Sequence, residues 1–204
     1  MTEDDPLYSN VTLVVQQKAK LIELQNEYKI FDSDGVQIGA VRQVGQGKAK
    51  KVMRFVSSLD QFMTHRLEVV DSGGAVRLRL VRPAKFAKSR IEVSDGSGKA
   101  LGKIVQQNVF GKINFSLLDA NGKQVGSLRG QNWRAWNFDV VDANGEHLAR
   151  IDKKWEGLAK TVFTTADNYK IARPKALEDP LGGLVLAAAL AIDTALKQDA
   201  RGFG

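Results

Sequence analysis

Six basic residues, Arg77, Arg79, Arg82, Lys85, Lys88 and Arg90, fall within residues 75–90, a stretch that contains no carboxylate. Residues 35–59 are similar: Arg42, Lys48, Lys50, Lys51 and Arg54 are present and no acid is. Clustered cations of this kind bind anions. Acidic lipid headgroups are one such partner, each cation near the surface contributing about 1 kcal/mol. Nucleic acid is the rival, but single strands want aromatic rings interleaved with the cations, and only Phe86 interrupts residues 75–90. No reading helix of the kind that enters a DNA groove is evident. The residues expected to face anionic lipid are therefore Arg77, Arg79, Arg82, Lys85, Lys88 and Arg90, with Lys48, Lys50, Lys51 and Arg54. The plainer alternative is a solvated outer strand face, where Lys and Arg discourage edge pairing.

Bond-making chemistry finds little support. The chain has no cysteine, which removes disulfides, thiol nucleophiles and cysteine-bound zinc. Two histidines, His65 and His147, cannot build a histidine-rich metal centre. His65 reads as a strand residue with a satisfied hydrogen bond, and His147, just after a turn, as exposed. No Gly-x-Ser-x-Gly elbow occurs. The stretch GSGKALGK has the wrong spacing for a phosphate loop, and Lys103 is followed by Ile104 rather than Ser or Thr. No enzyme activity and no cofactor are expected from the residues themselves. The formal net charge of +7 fits an anionic partner. The opening residues, MTEDDPLYSN, lack the basic start and apolar run of a secretory signal.

The elements that position the cations announce themselves by turns. Asp or Asn recurs with Gly in DSDG, DSGG, SDGSG, DANG and DANG, each flanked by aliphatic residues. Such pairs supply the positive φ that tight hairpins need. The later turns lie about 23 to 26 residues apart, one hairpin and one connection per unit. Alternation supports strands: in AVRLRLVR, Val76, Leu78 and Leu80 share one face, and Arg77 and Arg79 the other. Leu148 and Ile151 alternate less cleanly, as a bulge or a strand end would cause. About twelve strand-like runs lie between Val11 and Ile171. A short helical interruption is expected at SSLDQFM, with Ser58 as its cap. Trp133, Trp136 and Trp155 are expected to pack in the fold, with Trp133 and Trp136 on opposite faces of a strand.

The end of the chain differs. Residues 181–196 read LGGLVLAAALAIDTAL, apolar on all sides of a helical wheel. Asp179 and Pro180 suit a helix start. The unbroken apolar run, 181–192, stops after 12 residues at Asp193, short of the roughly 20 that a membrane span needs. Its glycines and alanines make it thin, so it could thread a closed sheet.

Taken together, these segments resemble the phospholipid scramblase and LURP-one-related family of the tubby-like barrel superfamily. The likeness runs over nearly the whole chain. It rests on the early glutamine-pair strand and NEYKI, on Trp155 and Gly157, on the run Ala166 to Tyr169, and on the terminal apolar helix. The resemblance implies an all-β fold with one helix: a roughly twelve-stranded antiparallel closed barrel around a buried C-terminal α-helix. The expected layout is a flexible stretch over 1–10, a single domain over 11–198 with its central helix at about 180–197, and a tail over 199–204. The resemblance also implies anionic phospholipid or membrane partners, a cytoplasmic protein peripheral to the inner face of the plasma membrane, and a link to lipid scrambling. A regulatory or adaptor barrel with a protein or nucleic-acid partner is the alternative. Calcium enters through the resemblance alone, with Asp167 and Asn168 as the candidate ligands. The surrounding Thr165, Lys170, Arg173 and Lys175 leave few of the oxygens that calcium takes.

Overall fold

The computed structural model describes residues 5–17, 26–45, 64–83, 89–108, 113–131, 137–153 and 168–199. The expected interruption near Ser58 and the three tryptophans lie outside them. A helical turn, α1 (Pro6–Ser9), precedes twelve strands and a terminal helix. The strands are β1 (Thr12–Gln17), β2 (Asn26–Phe31), β3 (Gln37–Gln43), β4 (His65–Asp71), β5 (Val76–Arg82), β6 (Arg90–Asp95), β7 (Ala100–Gln106), β8 (Asn114–Asp119), β9 (Gln124–Gly130), β10 (Asn137–Asp142), β11 (His147–Lys153) and β12 (Asn168–Ala172). The helix is α2 (Leu181–Asp199). Each strand pairs antiparallel with its neighbour in sequence, and β1 pairs with β12, so the sheet closes into a barrel. Closure leaves no free edge.

Five hairpins of one design gather at one rim. In four of them, an aspartate side chain accepts backbone N–H bonds from two and four residues on: Asp32 from Asp34 and Val36, Asp95 from Ser97 and Lys99, Asp119 from Asn121 and Lys123, Asp142 from Asn144 and Glu146. Asp71 takes the N–H of Ala75. A glycine three residues after each aspartate sits at positive φ, from 80° at Gly35 to 94° at Gly98. The Asn-Gly pairs seen in the sequence are therefore the later half of each turn, and the leading aspartate is its anchor. At the opposite rim, henceforth the far rim, the longer connections leave the strands.

Inside, the buried side chains of the strands and those of α2 form one core. Leu13, Ile30, Val69, Leu78, Leu117, Leu128, Val140 and Ile151 are wholly buried. On the helix, Leu184 to Leu190 and Ile192 are at most 1% exposed. Burial all round matches its all-round apolarity. The helix starts at Leu181, and Asp179 still caps it, Oδ1 accepting the Gly183 N–H at 3.0 Å. A bulge sets Val141 against His147 next to Val140 against Ala149, which skips Leu148 and explains its broken alternation.

Residues 5–10 hold α1 and its two flanking residues. Asp5 caps α1 through the Leu7 N–H, and Leu7 and Tyr8 are buried in the barrel core. Two large apolar side chains in this turn outweigh the acidic character of the segment.

Candidate anion-facing surface

Outward positions of β3 to β7 carry Arg42, Arg66, Arg77, Arg79, Arg90 and Lys103. Register places Arg42, Glu68 and Arg79 side by side across β3, β4 and β5. Arg42 grips Glu68 Oε2 through Nε and Nη2 at 3.0 and 2.8 Å. Arg79 Nε lies 3.4 Å from Glu68 Oε1 and its Nη1 donates to the Gly96 carbonyl. One carboxylate thus serves two guanidinium groups that stay about two-fifths exposed, at 40% and 39%. The next row toward the far rim aligns Arg66, Val81, Glu92 and Lys103 on β4 to β7. Arg66 and Lys103 are exposed, and neither has an ion-pair partner among the described residues. Arg90 is 60% exposed and only 3.9 Å from Glu92 Oε1. Five cations therefore stand against Glu68 and Glu92 on this face. Arg150 on β11, by contrast, is held by Asp152 at 2.9 Å with Asp139 at 3.6 Å.

The residues singled out in the sequence separate into three groups. Arg79 and Arg90 lie on this outer face. Arg77 also points outward, but its Nε is 2.6 Å from Asp5 Oδ2 and 3.6 Å from Asp71 Oδ2. Arg82 continues the inward alternation of Leu78 and Leu80 and is buried. Its place is inside the far rim, opposite His65 in register. Ser89 and Gln106 are buried there too, the Ser89 N–H donating to Gln106 Oε1 at 3.2 Å. His65 is buried with Gln43 Nε2 at 3.5 Å, and His147 is exposed, both as expected. Lys48, Lys50, Lys51, Arg54, Lys85 and Lys88 lie outside the described residues. Sequence reading passed over Arg66 and Lys103, although strand alternation opposite Leu67 and Ile104 was the available signal.

Asn168, the described member of the calcium pair, opens β12 opposite Gln16. Its Oδ1 is buried without a hydrogen-bond partner. Asp167 lies outside the described residues. One amide oxygen falls far short of the six to eight oxygens that calcium takes, and among the described residues no three carboxylate or histidine groups converge. The residues described here do not fit a calcium ion.

No helix among the described residues is long and apolar enough to cross a membrane. A protein of Arabidopsis thaliana known from an X-ray structure shares the fold, with a TM-score of 0.53 and 13% identity over 94% of this chain and 95% of its own. No curated protein matches the chain. The family model described as Scramblase matches residues 4–196, almost the full length of barrel and helix. The chain belongs to the Scramblase family.

Proposed function

We propose that this barrel is a non-enzymatic, scramblase-related protein that binds anionic phospholipid surfaces through the outward cations of β3 to β7. The observation that carries the reading is the excess of Arg42, Arg66, Arg79, Arg90 and Lys103 over Glu68 and Glu92, with Arg66 and Lys103 unpaired among the described residues. Surface cations already paired gain little from a second anion, whereas exposed and unpaired ones each contribute about 1 kcal/mol at a charged bilayer. A cytoplasmic protein, peripheral to the inner face of the plasma membrane, follows from that reading, because that leaflet carries the anionic lipid.

Flotation with phosphatidylserine-containing vesicles tests it. Binding is expected at low salt, to weaken as salt rises, and to be absent on purely zwitterionic vesicles. Replacing Arg66, Arg90 and Lys103 together by Gln should weaken binding by roughly two orders of magnitude. Equal binding to both vesicle types, or indifference of the triple variant, would overturn the proposal. Lipid scrambling is a further step, since a buried central helix offers the bilayer no apolar surface. A dithionite quenching assay on reconstituted vesicles reads that step separately.

A further inference from the structure

The start of α2 is covered. At the hairpin rim α1 lies over it, with Leu7 fully buried and Tyr8 nearly so. A Cβ placed on Gly182 would come within 2.9 Å of Tyr8 Cδ1, so the tyrosine ring rests directly on the first turn of the helix. Leu7 approaches the sheet equally closely, 3.1 Å from a Cβ placed on Gly39.

Beyond its own local bonds, this turn is tied to the barrel by Arg77 and Arg173. The Asp5 carboxylate, fully buried, meets Arg77 Nε at 2.6 Å. Arg173 is buried just beyond β12; its Nη2 donates to the Leu7 carbonyl at 3.2 Å and to that of Asn10. Its backbone N–H donates to Val11 O at 2.7 Å. Beneath these ties the seat is unfinished. The Tyr8 hydroxyl and Arg173 Nε are buried with no hydrogen-bond partner, and each gives up hydration without return. Buried polar atoms left without a partner lower the cost of lifting such a segment away, because release returns them to water.

The connection matters as well. Residues 173–180 join β12 to α2 at this same rim, so the helix is tethered where the turn covers it. Its direct way out of the barrel runs past α1. We propose that residues 5–10 are a releasable plug that confines the central helix, with Asp5–Arg77 and Arg173 as its latch. Opening is then a local event at the hairpin rim, separate from unfolding of the barrel, and it stands apart from lipid binding at the outer face.

The absence of cysteine makes the test clean. Ala188→Cys places a thiol on the buried middle of α2, and Val140→Cys places one on the buried inner face of β10. Labelling by N-ethylmaleimide is followed for both reporters in otherwise native protein, in Asp5→Asn and in Arg173→Gln. Each latch variant is expected to speed labelling at position 188 by about tenfold relative to position 140, the size of one lost charge-assisted hydrogen bond. Tyr8→Phe, which removes the unpartnered hydroxyl, is expected to slow labelling at 188. Labelling of both reporters in step across all variants would overturn the plug, because the helix would then be exposed only by global unfolding. Unchanged labelling at 188 in both latch variants would overturn it equally.

Discussion

Asp179 has two duties at the start of α2. Its Oδ1 accepts the Gly183 N–H, and its carboxyl is half-buried beneath α1. Burial pushes that carboxyl above the usual carboxylate range, against the opposing pull of the Gly183 hydrogen bond. A carboxyl raised by folding favours the native state at low pH, and this contribution is lost as pH rises through the folded value. Asp179→Asn keeps the acceptor and carries no charge. It is expected to exceed wild type in stability at pH 7 and to lose that advantage at about pH 3, where the wild-type group is protonated. Asp179→Ala loses the cap and should cost about 1 kcal/mol. Denaturant unfolding at the two pH values reads both. Tyr8 belongs to the same neighbourhood: burial, and then the Asp179 carboxylate, push its phenol up, so it stays protonated. Burial pulls Arg173 down to about 10, which leaves it cationic at neutral pH. At this scale the sequence was a partial guide. Asp179 as cap was legible, because capping is local. The partners of Arg77 were not, because Asp5 lies 72 residues away along the chain.

At the scale of elements, α2 shows packing overruling propensity. Helix propensity alone favours Gly183→Ala by up to about 1 kcal/mol. A Cβ there would stand 2.7 Å from Leu101 Cδ1 and 3.1 Å from Leu78 Cδ2. Overpacking of this kind costs about 1–3 kcal/mol, so the substitution is expected to destabilise. Thermal unfolding gives the sign, and a stabilised variant would show that the helix start has room to spare. Strands were readable from alternation, and β5 is the clearest case, with Leu78 and Leu80 inward and Arg77 and Arg79 outward. The same alternation carries Arg82 inward. A linear cluster of cations hides that division, since consecutive strand residues face opposite sides.

At the scale of the molecule, barrel and helix form one core. Leu184, Val185, Leu186, Leu190 and Ile192 fill the barrel axis, each stabilising the fold by about 2 kcal/mol on burial. A chain ending after Pro180 would leave the inner face of twelve strands against water. Such a truncation is expected to lose its cooperative unfolding transition and its near-ultraviolet circular dichroism. Retention of both would mean that the barrel can collapse on itself.

Local information in the sequence was enough to determine the strands, the five aspartate–glycine turns, and a thin apolar helix too short to span a bilayer, because alternation, turn chemistry and length act over a few residues. The barrel's closure and central helix came through the likeness to a family. Only the tertiary structure decided which cations remain available. Strand pairing brought Glu68 between Arg42 and Arg79, seated α1 against Arg77 and turned Arg82 inward. It left Arg66 and Lys103 without an ion pair among the described residues. The balance of charge on a sheet is set between strands, and sequence adjacency does not carry that information.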